Sequence, residues 1–213
     1  MLLSSSYGSI IDREVYVKKE KGVLKNMPVK IFGLWDEGYV IDNYSVSSRY
    51  IGEDPFGFRQ FDTTYTEIGK LLHAMKYNGH FDTSERIVDY CYDFLKQWLA
   101  DKTIDAVIPV PPTKDRTAQP VFLIASGIAS RFGFPYTEAV LEKTSAAESK
   151  NMDKQSKNLH GTVVKKLNAK RKCNILLIDD FFSTGETATE CVRVLKEDEM
   201  IDKVYYLAIA KTK

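Results

Sequence analysis

Cysteine is scarce in this chain: three among 213 residues, Cys91, Cys173 and Cys191, none near another. That spacing contains no C-x-x-C pair, which excludes a zinc ribbon, and so we expect no zinc. The sparse, odd count and a start, MLLSSSYGSIIDREV, without a basic leader or a long apolar stretch are those of a chain expected in a reducing cytoplasm. Histidine is equally rare, and His73, His80 and His160 are scattered too widely to suggest a metal cluster or a catalytic dyad. Excess charge is missing as well. The net charge of +1 disfavours a dedicated nucleic-acid binder, which carries a strong basic surplus. No window approaches 18 apolar residues, so no membrane partner is expected. There is no internal repeat and no low-complexity tract.

What is present fits a packed protein. Hydrophobic residues make up 44 % of the chain, with 12 Tyr and 11 Phe, enough for a core and too many for wholesale disorder. The length suits one large domain with at most a small appended element. We expect residues 1–60 to form a β-rich N-terminal segment and 61–213 the main domain. In the first, Val15–Lys19 alternates, and Val29–Trp35 and Tyr39–Ser48 flank the turn Asp36-Glu37-Gly38 as in a hairpin. Gly52, Pro55 and Gly57 then break the pattern. Thr64–Tyr77 places Ile68, Leu71, Leu72 and Met75 on one helical side. Asp82-Thr83-Ser84-Glu85 opens a second helix reaching about Ala100, apolar along Ile87, Cys91, Phe94, Leu95 and Trp98.

From Asp105 the texture becomes α/β. Asp105-Ala106-Val107-Ile108-Pro109-Val110 reads as a short buried strand, Phe122–Phe132 as a helix and Tyr136–Leu141 as an extended run. Thr144–Asn158 is polar and unpatterned, a long loop. Gly161–Val164, Asn174–Ile178 and Val204–Ala210 read as strands, with a helix over Glu186–Lys196. Strands alternating with helices predict a mainly parallel, doubly wound sheet.

The most informative stretch is Asn174–Glu190, NILLIDDFFSTGETATE. An apolar strand leads to two adjacent acids, Asp179 and Asp180, at the end of the sheet where α/β proteins bind ligands. Ser183-Thr184-Gly185-Glu186-Thr187 then turns into a helix. Gly185 allows close backbone approach, the first helical N–H groups favour a phosphate, and three hydroxyls add donors. The paired carboxylates can accept hydrogen bonds from a ribose diol. Glu186 also reads as an acid complementing the helix dipole.

Two acids, two apolar residues and (Ser/Thr)-Thr-Gly-x-Thr after an apolar strand resemble the PRPP motif of type I phosphoribosyltransferases (PRPP is 5-phosphoribosyl-1-pyrophosphate). Gly69–Gly79 (GKLLHAMKYNG), Asp105–Arg116 (DAVIPVPPTKDR) and Ser156–Val163 (SKNLHGTV) resemble stretches of the ComF-like branch, the likeness covering roughly residues 64–213. The resemblance implies the type I phosphoribosyltransferase fold, with residues 1–60 as a hood over the site. Its aromatic contributors would include Trp35, Phe61 and Tyr65. It implies transfer of phosphoribosyl from PRPP to an unidentified acceptor with release of pyrophosphate. Asp179 and Asp180 would hold the ribose hydroxyls and, through PRPP, Mg²⁺. Ser183, Thr184, Gly185, Glu186 and Thr187 would cradle the 5-phosphate. Lys114 and Arg116, after the Pro-rich strand end, would meet the pyrophosphate, and Thr144–Asn158 with its lysines would close over it.

Departures from the pattern shape these expectations. The N-terminal cysteine cluster of many ComF-like chains is absent, and Thr117-Ala118-Gln119-Pro120 stands where an Arg-Gly-Phe-Asn run is usual. Ser183 stands where purine-salvage relatives carry an Asp base, so ordinary hypoxanthine-guanine salvage is not expected. Relatives associated with DNA uptake and phage defence imply the alternative of a catalytically silent PRPP or nucleotide sensor, or an accessory protein. A homodimer is an admissible assembly.

Overall fold

The computed structural model describes residues 27–112, 116, 118–144 and 162–212. The strand expected at Val15–Lys19, the pyrophosphate candidate Lys114 and the loop from 145 to 158 lie outside these residues. The elements run in the order β1 (Val29–Ile31), β2 (Glu37–Asn43), β3 (Ser45–Glu53), β4 (Arg59–Tyr65), α1 (Glu67–Asn78), α2 (Thr83–Trp98) and β5 (Ala106–Pro109). They continue as α3 (Pro120–Phe132), β6 (Leu141–Lys143), β7 (Val163–Lys165), β8 (Cys173–Phe182), α4 (Glu186–Lys196) and β9 (Ile201–Lys211). No helix among the described residues is long and apolar enough to cross a membrane.

The apolar runs of β8 and β9 explain the layers. In a strand successive side chains face opposite ways, so a continuous apolar run needs cover on both faces. Leu176, Ile178, Leu207 and Ile209 join a core with α1, α2 and α3. Ile175, Leu177, Val204, Tyr206 and Ala208 face the other way, into a core shared with α4, Leu141 and Val163. The result is a three-layer, mixed α/β protein. Its five-stranded sheet has the order β1-β2-β9-β8-β5. β2, β9, β8 and β5 pair in parallel and only the edge strand β1 is antiparallel, as the alternation of strands and helices predicts.

Three differences from the sequence reading bear on the site. First, β2 is an internal strand of the main sheet, in register with β9 from Glu37↔Tyr205 to Asn43↔Lys211. Glu37–Asn43 therefore belongs to the main sheet, and a boundary at 60 falls inside β4. Second, the helix does not start at Thr64. Thr63, Thr64 and Tyr65, good strand formers, pair with Ser48, Ser47 and Ser45 in a two-stranded sheet. Thr66 then caps α1, its hydroxyl oxygen accepting from Gly69 N at 3.0 Å. Gly69 is required there, because a Cβ would sit 1.8 Å from the Tyr44 carbonyl oxygen. Third, β8 does not stop at Ile178. The long β9 gives it a partner out to Phe182↔Lys211, so Asp179 and Asp180 lie within the strand.

Candidate functional site

The C-terminal ends of β2, β8 and β9 meet the start of α4 and the side of α1, and the two acids stand at that junction. The structure gives them different partners. Asp179 is 9 % exposed and paired with Ala208 of β9 in the ladder. Its Oδ2 accepts the Tyr206 hydroxyl at 2.9 Å, and its Oδ1 accepts Phe181 N at 3.3 Å. Burial, with the neighbouring charge of Asp180, pushes the Asp179 carboxyl far above the ordinary carboxylate range, to about 7. The same burial and the Asp179 charge drive the Tyr206 hydroxyl well upward, so it stays a donor. Tyr206 is itself fixed by Trp35, whose ring stacks on it at 4.6 Å and whose Nε1 donates to Ile31 O at 2.9 Å. Trp35 is thus a core residue behind the site and no part of a hood.

Asp180 turns to α1. Its Oδ2 lies 2.9 Å from Lys76 Nζ, with the two side chains only 19 % and 15 % exposed. The same ammonium stands 5.3 Å from the centre of the Phe181 ring. Around it is an aromatic wall: Phe181 meets Tyr44 edge-on at 5.2 Å, Tyr44 meets Tyr65 at 5.1 Å, and Tyr65 lies 4.8 Å from His73. Burial raises the Tyr44 hydroxyl out of the titrating range, leaving it neutral. Of the aromatics expected in a hood, Tyr65 is in this wall, while Phe61 lies on the projecting hairpin beside Tyr50.

Beyond Phe182 the chain turns at Ser183 and Thr184, both exposed, into Gly185 with φ +79°. A Cβ at Gly185 would meet the Phe182 ring at 2.9 Å, so both conformation and space call for glycine. Gly185 is the N-cap of α4 and supplies no side-chain acceptor; the Glu186 amide has only the Thr184 hydroxyl, at 3.5 Å. The first amides of α4 are therefore open to an anion from outside. Glu186 is exposed in that first turn and Thr187 half-buried. Arg116 is half-buried between β5 and α3.

Sequence reasoning missed Tyr206 and Lys76 as members of this junction. Lys76 sits inside the stretch compared with the ComF-like branch, but its distance in sequence from Asp180 hides the pairing. Cys191, one turn into α4, is held protonated by burial and by the Asp179 charge, so it is no nucleophile. Among the described residues no three His, Cys, Asp or Glu gather to hold a metal. Two shallow cavities, each about 310 Å³, open elsewhere, on the hairpin and between α1 and α2.

No family model matches the chain, and no curated protein does. Among solved structures, adenine phosphoribosyltransferase from Leishmania tarentolae aligns with a TM-score of 0.44 at 13 % identity, covering 86 % of this chain and 94 % of that one. The Saccharomyces cerevisiae adenine phosphoribosyltransferase, solved with an imino-altritol bisphosphate and adenine, aligns at 0.42 and 13 % identity, covering 77 % and 85 %. UMP synthase from Leishmania donovani aligns at 0.35 and 16 % identity, covering 75 % of this chain and 27 % of that one. The chemistry of the junction is argued from its own residues.

Proposed function

We propose that this chain binds PRPP at the end of β8 and transfers its phosphoribosyl group to an acceptor, releasing pyrophosphate. The observation that carries this reading is the succession, within seven residues, of Asp179 and Asp180 and the uncapped glycine start of α4. A ribose 5-phosphate presents the matching pattern, a diol for carboxylates and a phosphate for open amides. Ser183, Thr184 and Thr187 would add hydroxyl donors to the phosphate, and Asp180 would accept from the ribose. The chain would act by fixing the ribose and stabilising charge as the bond at its C1 breaks. Lys76 is the cation nearest the acids among the described residues, and we assign it to balancing their charge until ligand arrives. Lys114 and Arg116 remain the proposed cations for the pyrophosphate.

Mg²⁺ fits this donor set as an ion carried by PRPP. Two carboxylates, one bonded to Tyr206 and one paired with Lys76, do not make a cage of their own. The ion would neutralise the departing pyrophosphate. We further propose kinship with the ComF-like branch, on the stretches quoted above.

A second reading, a PRPP sensor without turnover, is favoured by Ser183, a hydroxyl where purine-salvage phosphoribosyltransferases carry an Asp base. Isotope-labelled PRPP with Mg²⁺ and a panel of nucleobases separates the two. Nucleobase-dependent pyrophosphate release with a phosphoribosyl product of matching mass supports the transferase. Saturable PRPP binding without consumption supports the sensor. Absence of PRPP binding overturns both.

A further inference from the structure

The β3–β4 hairpin is a two-stranded sheet that projects from the body, with almost every residue exposed. Isolated two-stranded hairpins are marginal in water and are usually completed by more strands or by packing on another element. This one is nevertheless built to display apolar groups. At its tip Asp54 Oδ1 accepts the amides of Phe56 and Phe58 at 2.9 and 3.0 Å, which closes the turn and leaves the two rings 85 % and 68 % exposed. Along its body Tyr50 and Phe61 stack edge-on across the strands at 5.7 Å, 51 % and 53 % exposed. Together with Glu53 and Arg59 they wall one of the 310 Å³ cavities.

We propose that this hairpin is a self-association arm, docking on the same arm of a second copy of the chain, with the tip phenylalanines of each seated in the Tyr50–Phe61 cavity of the other. The arm carries knob and socket at once, which is the self-complementarity a two-fold interface requires. Taking about 200 Å² for a fully exposed aromatic side chain, the four rings leave roughly 500 Å² uncovered. Ile51, also exposed, adds to that, toward the roughly 800 Å² each partner contributes to a standard interface. Charge selects the partner. Arg49 faces Asp62 and Glu53 faces Arg59 across the strands. Arms of mixed sign complement each other in a two-fold pair, whereas a nucleic acid or an anionic membrane would require a basic excess that the arm lacks.

Sedimentation velocity of the full chain over a range of concentrations tests this. The expected result is a dimer whose dissociation constant rises by about 100-fold in Phe56→Ser/Phe58→Ser. The body-face variant Tyr50→Ser/Phe61→Ser should show a loss of the same order, with far-UV circular dichroism and urea midpoint unchanged in at least one of the two. A wild-type chain that stays monomeric at high concentration overturns the proposal. So does a dimer that both variants leave equally tight, or wild-type protein that pellets with neutral phospholipid vesicles through the tip phenylalanines.

Discussion

Asp179→Asn should gain in folded stability over the native protein as pH rises. The carboxyl is buried, and the difference between its ordinary value of 3.8 and about 7 corresponds to about 4 kcal/mol. The sign follows from proton binding. Between pH 4 and 7 the unfolded chain has released this proton while the folded chain still holds it, so stability falls as pH climbs through that window and is flat above it. Asparagine cannot ionise. Its Oδ1 can keep the Phe181 amide, but its amide nitrogen then faces the Tyr206 hydroxyl, which loses its acceptor at a cost of about 1–3 kcal/mol that does not depend on pH. Relative to the native protein the variant should therefore gain about 3 kcal/mol between pH 4.5 and pH 8, set against that constant cost. Urea unfolding of both proteins across that range measures it. A difference independent of pH, or one that shifts against the variant as pH rises, refutes the burial argument. The same substitution should weaken PRPP binding under the proposed function, the pattern expected of a residue retained for its chemistry at a cost in stability.

The other predictions concern the neighbours of this acid. Lys76→Met removes the only counter-charge described for Asp180, whose side chain is about four-fifths covered; the stability loss should be about 2 kcal/mol by urea midpoint, and no loss would mean the pair is idle. Gly185→Ala forces a Cβ toward the Phe182 ring at φ +79° and should cost about 1–2 kcal/mol in thermal unfolding. PRPP titration of the same folded variant should show weaker binding, because the loop then shifts away from the phosphate position.

The elements that read most clearly from sequence are those whose signal is local. The run at Ile175–Ile178 could only be a two-sided buried strand, and Glu186–Lys196 follows from its spacing and its glycine start. Partners far apart in the chain were not legible. Nothing in Glu37–Asn43 announces that it pairs with the last strand rather than only with β1. Nothing local ties Lys76 to Asp180 or Tyr206 to Asp179. The hairpin was half visible: Gly52, Pro55 and Gly57 mark its tip. Arg59–Tyr65, however, lacks an apolar alternation, because most of its residues are exposed and none is fully buried. The two acids stand out as a pair in the sequence, but their place inside β8 and their divergent partners depend on how far β9 carries that strand, which no local pattern reports.

The central claim, that the end of β8 and the start of α4 hold a phosphoribosyl group, is tested most directly by amide hydrogen exchange with and without PRPP and Mg²⁺. The account predicts slowed exchange of the Thr184–Thr187 amides in saturating ligand. That protection should disappear in Asp179→Asn/Asp180→Asn protein that remains folded. Exchange at these amides unchanged by a ligand that demonstrably binds, or protection confined to another part of the chain, would contradict it.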